Sequence, residues 1–374
     1  VPGVTHGMSI VKQWMLHLEA DVMRGQRCYT RPDRSMDIGL TRKDENSMAL
    51  NLPEALHARR PTMADAQIVV DLIRFCQLRE WKGSEITVED TLTLWGEPEM
   101  DLEQDAWLIF APDNQLVAYL HLLRRDSLRM NINKRVHPDY DTLELQHALI
   151  MCAEERARQL IPQLRPDARI TLNTTCSTLA TPVASEAAKQ AGFDYIRSSF
   201  RMEIAMETPP PKPIWPEGIV LRPFTLEMAR AVHAADDEAF SDHWGYTSTP
   251  FETFEHIFIK SPKFDPTLWF LPFAGEEIAG TALCEHREEI GFVNSLSVRR
   301  PWRRQGLGLA LLHHTFGEFY QRDVRKVALY VDAQSLTGAT RLYERAGMKV
   351  VRQFDQYEKE LRAGIELSTQ EIEA

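Results

Sequence analysis

One pattern runs through this chain twice. Residues 58–73, ARRPTMADAQIVVDLI, and residues 220–235, VLRPFTLEMARAVHAA, each end a short strand-like run with Arg-Pro. Each then sets a Thr in position to cap an amphipathic helix. Further on, 190-QAGFDYIRSSFRMEI and 345-RAGMKVVRQFDQYEKEL both read as a helix stopped by Ala-Gly, with an apolar residue opening a strand. Two such pairs at nearly constant separation point to a duplicated unit, so whatever the first half builds the second should build again. A length of 374 residues agrees, since it exceeds one ordinary domain.

Between the halves lies 207-ETPPPKPIWPEG-218, with five prolines in twelve residues, a composition that favours an extended connector. The expected division is a first unit over 55–206, a linker over 207–217, a second unit over 218–362 and an acidic tail over 363–374. Residues 1–54 read as an appendage, with one helical stripe of apolar side chains at 11, 14, 15, 18 and 22 closed by Gly25.

Apolar content of 44% with 26% charged residues is that of a folded globular protein. A net charge of −11 argues against nucleic acid as a partner, because phosphate-backbone binding needs clustered Lys and Arg. The five cysteines are scattered and free of C-x-x-C pairs, which argues against a disulfide framework or a zinc site and fits a reducing compartment. No window approaches 18 uninterrupted apolar residues, so no membrane association and a cytoplasmic location are expected.

The second unit reads as a strand over 219–224, helices near 226–240 and 250–260, and strands near 268–274, 277–285 and 289–298. A helix over 306–321, a strand over 326–332, a helix over 337–346 and a strand over 348–358 follow. Strands that first meander and then alternate with helices predict an α/β fold, and the first unit follows the same order.

The stretch 298-VRRPWRRQGLGLALLHH-314 is unusual in an acidic chain, with four arginines, two glycines one residue apart and an unbroken apolar run. It is not a Walker loop, since no Lys-Ser or Lys-Thr follows the glycines. Nor is it a dinucleotide fingerprint, since Leu311 stands where the third glycine belongs. What remains is a pyrophosphate cradle built from main-chain amides at a helix start, where four N–H groups lack internal partners and the dipole is positive. Gly306 and Gly308 would let an anion approach without a Cβ in the way, and Arg303 and Arg304 could add charge. The strand 291-GFVNSLSV-298 runs directly into this loop, so a ligand held by its pyrophosphate could lay an amide-bearing arm along the strand edge. Coenzyme A has that shape.

V-R-R-P-W-R-R-Q-G-L-G-L-A-L-L resembles motif A of the GNAT N-acetyltransferases, [R/Q]-x-x-G-x-[G/A], with Arg303, Gly306 and Gly308 in the defining places. The stretch 330-YVDAQSLTGATRLYERAGM-348 looks like the family's next motif. The likeness covers 218–362 well and 55–206 weakly, and the tandem layout with 240-FSDHWG-245 is similar to that of mycothiol synthase and its relatives. The resemblance implies two tandem acyl-CoA N-acyltransferase folds, each a mixed, mostly antiparallel twisted sheet flanked by helices, with acetyl-CoA as co-substrate and no metal. Main-chain groups of Leu296, Ser297 and Val298 would hold the pantetheine arm, and those of Arg303, Arg304, Gln305, Gly306, Leu307, Gly308 and Leu309 the pyrophosphate. Ser335 stands where the family often has an asparagine that touches the arm. Tyr343 matches the tyrosine that protonates the departing thiolate, and Phe240, His243 and Trp244 would line the acceptor pocket.

A general base is needed because an alkyl ammonium of pKa about 10.4 is only about one part in a thousand neutral at pH 7, a penalty of roughly 4 kcal/mol. Many members of the family carry a carboxylate on the strand before motif A, but residues 292–298 contain none. Glu285 is the first candidate, with His286, Asp237, Glu238, His243 or a water relay as substitutes. The first unit's equivalent stretch, 136-VHPDYDTLELQHALIM-151, has no glycines at the cradle, and Asp141 and Glu144 would repel an anion, so no tight coenzyme binding is expected there. The expected function is acetyl transfer to the primary amine of a small-molecule acceptor by direct attack in a ternary complex. The alternative is a non-catalytic acyl-CoA-binding or regulatory protein of the same fold.

Overall fold

The computed structural model describes residues 51–81, 86–97, 100–126, 128–179 and 182–370; the expected helix over 10–25 lies outside them. The first half contains β1 (His57–Arg59), α1 (Ala66–Trp81), α2 (Val88–Trp95), α3 (Leu102–Asp105), β2 (Ala106–Phe110), β3 (Leu116–Asp126) and β4 (Arg129–Val136). It closes with α4 (Leu143–Leu160), β5 (Ile170–Ser177), α5 (Val183–Gln190) and β6 (Asp194–Ala205). The second half opens with β7 (Ile219–Pro223), α6 (Ala229–Phe240), α7 (Phe251–Phe254), β8 (Trp269–Ala274), β9 (Glu277–Ile278), β10 (Gly280–Arg287) and β11 (Ile290–Val298). It ends with α8 (Leu307–Gln321), β12 (Lys326–Asp332), α9 (Ala339–Arg345) and β13 (Lys349–Arg362).

The order expected from sequence is thus found in both halves, and the rhyming stretches have matching local structure. Both Arg-Pro-containing segments enter their helices through a 3₁₀ turn, Met63–Asp65 in one and Leu226–Met228 in the other. Thr62 engages Asp65 through its amide at 2.8 Å and its hydroxyl at 2.9 Å, whereas Thr225 makes no side-chain cap. Both Ala-Gly stops close with an equivalent bond, Phe193 N–H to the Ala188 carbonyl in one and Met348 N–H to the Tyr343 carbonyl in the other, each at 3.0 Å.

Among the described residues all the strands belong to one sheet, ordered β1-β2-β3-β4-β5-β13-β6-β12-β11-β10-β8-β7, with β9 beside β8. Read from either end, equivalent strands appear in the same order. The two halves exchange their last strands: β13 pairs with β5 over Phe354↔Ser177 to Arg362↔Ile170, and β6 pairs with β12 over Lys326↔Ala205 to Asp332↔Ser199. Most pairings are antiparallel, but β4–β5 and β11–β12 are parallel. One face of the sheet packs on α4 and α5 in the first half and on α8 and α9 in the second, each around its own apolar core. The opposite face carries α1 and α2 on one side and α6 and α7 on the other. The four cysteines within the described residues are free and buried, and burial pushes the Cys76 and Cys152 thiols up to about 12.

Candidate active site

β11 and β12 pair only over Ile290↔Lys326 to Phe292↔Ala328, and beyond that the two parallel strands diverge. On its other side β11 stays paired with β10 as far as Gly280↔Val298, through a bulge that leaves Asn294 as the extra residue. The edge of β11 from Asn294 to Val298 therefore faces the opening between the diverging strands. Side chains along it are already committed: the Ser295 hydroxyl donates to buried Asp236 at 2.6 Å, and the Ser297 hydroxyl lies 2.9 Å from that of Thr281. Leu296 and Val298 pack on the apolar core. What the edge leaves facing the opening is main chain.

The strand leads into Arg300–Trp302, a 3₁₀ turn, and then into a left-handed bend with φ of 59° at Arg304 and 88° at Gly306. Alternating-handed backbone of this kind forms concave amide nests that take anions. The Arg303 amide donates to the Arg300 carbonyl at 3.3 Å and the Ala310 amide to the Gly306 carbonyl at 3.0 Å. Among the described residues, none of the amides from Arg304 to Leu309 in between has an acceptor. The first half provides an internal control. There Thr142 caps α4 by accepting from the Leu145 amide at 3.2 Å, the Thr142 amide donates to the Tyr140 carbonyl at 2.8 Å, and Asp141 takes the Gln146 amide group at 2.7 Å. That helix mouth is closed by its own side chains and carries a carboxylate.

The two glycines have different uses. A Cβ at Gly306 would meet nothing within 4 Å, but its left-handed φ disfavours any other residue. A Cβ at Gly308 would lie 3.0 Å from Leu342 and 3.7 Å from Val298, so this glycine brings α8 close to α9 and β11.

Arg303 departs from its expected role in supplying charge. Its guanidinium is turned inward, donating to the Val298 carbonyl at 2.9 Å, to the Ala239 carbonyl at 2.9 Å and to Asp242. Asp242, only 2% exposed, also binds Arg300, and these two arginines hold its carboxyl down at about 2. The pair clamps the loop after α6 to the base of the cradle. Asp242→Ala is expected to cost roughly 2–3 kcal/mol in urea unfolding. Because the folded carboxyl is depressed, its contribution is complete above pH ~4 and disappears as pH falls from there toward 2; the variant should lose that part of the acid dependence. Arg304 remains exposed, and the Gln305 side chain donates to the Pro301 carbonyl at 2.9 Å. Leu307 is buried in the core, and Leu309 is partly buried against it.

Ser335 also has a local role. Its hydroxyl accepts from the Ala339 amide at 3.3 Å and lies 3.1 Å from that of Thr337, at the start of α9. Tyr343, on α9, is 7% exposed and lies in the core beside α8. Burial alone raises its phenol, and the hydroxyl bonds to no described residue.

Glu285 lines a cleft open to solvent, whose floor is Glu285, Arg287 and Asn294. One wall is Asp90, Thr93, Leu94 and Glu97 of the first half; the other is Ile257, Phe258, Ser261 and Lys263, from and after the π-helical turn Glu255–Ile259. The Glu285 carboxylate accepts from Arg287 Nε. Among the substitutes, Asp237 holds Ser248 and Thr249 at 2.6 and 3.2 Å, Glu238 pairs with Arg299 at 2.7 Å, and His286 is exposed. Phe240 is buried against His243, with ring centroids 4.4 Å apart. Trp244 stacks against Arg197 of β6 at 3.6 Å and Arg129 of β4 at 4.7 Å. Sequence reasoning missed the cleft's first-half wall and Asp242, although the carboxylate stands within a quoted motif. Among the described residues no cluster of three metal-ligating side chains occurs and no helix is long and apolar enough to cross a membrane.

The sequence pattern of the Acetyltransferase (GNAT) family matches residues 230–348. A GCN5-related N-acetyltransferase from Sphaerobacter thermophilus is 36% identical, with a TM-score of 0.73 over 86% of this chain and 100% of that one. The chain belongs to the GCN5-related N-acetyltransferase family. A tandem GNAT protein from the clavulanic acid biosynthesis pathway, 16% identical with a TM-score of 0.61 over 83% of this chain and 100% of that one, shares the fold. The mycothiol acetyltransferase of Thermobispora bispora is 34% identical over 178 residues, 44% of this chain and 58% of that protein. A second, from Streptomyces scabiei, is 33% identical over 141 residues, 37% of this chain and 45% of that protein. The chain thus spans about half the length of these curated GNAT relatives.

Proposed function

We propose that this protein is an acetyl-CoA-dependent N-acetyltransferase acting on a small-molecule amine, with its chemistry in the second half and its acceptor reached through the cleft between the halves. The observation that carries the reading is the open amide mouth of α8, set against the capped mouth of α4 in the same chain. The residues present fit a coenzyme A pyrophosphate, since the cradle offers unpaired amides and open space above Gly306. The divergence of β11 from β12 leaves room for the amide-bearing arm along Leu296 to Val298. When bound, acetyl-CoA supplies an activated thioester. The chain would supply a proton at the Tyr343 hydroxyl, which burial keeps protonated at neutral pH, and a proton acceptor at the Glu285 carboxylate facing the cleft. Tyr343, with its hydroxyl uncommitted, favours this reading over passive coenzyme binding.

The test is a panel of amines with acetyl-CoA, followed by release of free thiol, alongside calorimetry with coenzyme A. Saturable binding with amine-dependent thiol release is expected. Binding without any amine raising the rate above thioester hydrolysis would leave a non-catalytic acyl-CoA protein; absence of binding would remove the cradle.

A further inference from the structure

The floor of the cleft is a single hydrogen-bonded unit. Glu285 and Arg287 stand two residues apart on β10 and so on one face of the sheet. Asn294, the extra residue of the β11 bulge, lies just past the last β11–β12 pair, Phe292↔Ala328. Arg287 joins the other two: its Nε donates to Glu285 Oε1 and its Nη2 to Asn294 Oδ1, the latter at 3.0 Å. The guanidinium lies over the Phe292 ring, 4.1 Å from its centre, and the residue is only 4% exposed.

This unit fixes what the floor offers to a ligand. A guanidinium only donates, so the Asn294 oxygen must be the atom facing Arg287, and the Nδ2 donors are turned away from it. Glu285 likewise has one oxygen engaged and one left over. Among the described residues, neither Asn294 Nδ2 nor Glu285 Oε2 bonds to a protein group. Both side chains line the open cleft and both keep some exposure, 12% for the Glu285 side chain and 5% for Asn294. Nε and Nη2 belong to one rigid, planar fork, so the acceptor and the donor left over are close neighbours. A ligand entering the cleft therefore meets a carboxylate oxygen with an amide donor beside it.

We propose that the floor reads two neighbouring groups of the acceptor at once: the reacting amine, taken by Glu285 Oε2, and an oxygen on the adjoining carbon, taken by Asn294 Nδ2. Arg287 is the residue that positions both. The acceptor class is then an amine whose neighbouring carbon carries a hydroxyl, ether or carbonyl oxygen, rather than a plain alkylamine. The proposal rests on the acetyltransferase reading, but its binding chemistry can be tested separately. The probes are 2-methoxyethylamine and butylamine, which match in length and differ by one oxygen in place of a methylene. With acetyl-CoA and the full chain, kcat/KM from thiol release should be about fivefold higher for the ether, the effect of one hydrogen bond. Titration of the chain saturated with coenzyme A should show the same preference in Kd. Asn294→Asp keeps the oxygen that Arg287 holds and removes only the donor, so the preference should vanish or reverse. Arg287→Lys replaces the fork with a single ammonium, so the preference should shrink although Asn294 is intact. Equal constants for the two amines, a preference unaltered by either substitution, or neither binding nor use of either amine would each overturn the proposal. A binding preference erased by Asn294→Asp, without thiol release, would instead refute the acetyltransferase reading and leave the subsite standing.

Discussion

Gly306→Glu is expected to weaken coenzyme A binding by roughly 10²-fold or more, about 3 kcal/mol, with the fold retained. The carboxylate would project into the mouth of α8, where unpaired amides and the positive end of the helix dipole would otherwise meet the pyrophosphate. A Cβ there meets nothing within 4 Å, so the structural cost is the left-handed backbone alone, about 1 kcal/mol. Gly306→Ala isolates that cost, and calorimetry with coenzyme A separates it from the effect of charge. Equal affinities for glutamate and alanine would show that no anion sits there. Gly308 would be a poorer probe, because any side chain at that position first collides with Leu342.

Tyr343→Phe should lower kcat by roughly 10²-fold with little change in KM for acetyl-CoA, the range for loss of an acid catalyst. The substitution keeps the ring in its core position and removes a hydroxyl that bonds to no described residue, so thermal stability should hold. Steady-state kinetics with an accepted amine decide it. An unchanged kcat would assign this tyrosine to packing.

Much of the architecture was legible because it is local. Apolar periodicity, Arg-Pro turns and Ala-Gly stops mark element ends, and α8, expected over 306–321, runs Leu307–Gln321. Strand exchange was not legible, because pairing partners are chosen by tertiary contact and β13 carries no label directing it to β5. β6 enters the second half's sheet beside β12, so that sheet presents no open edge there. Main-chain roles at the cradle could be inferred from glycine spacing, since backbone geometry follows local sequence. Side-chain roles could not. Arg303 was read as charge for a phosphate, but a buried carboxylate 61 residues earlier claims it. Ser335 was read toward the coenzyme, and the nearer Ala339 amide claims it.

The mirrored strand order has a physical consequence for the proline-rich connector. A protease that severed residues 207–217 would liberate neither half, because each fragment would keep a strand zipped between two strands of the other. Covalent continuity at that point is dispensable for cohesion; the interlock does the joining, and only unfolding would part the pieces.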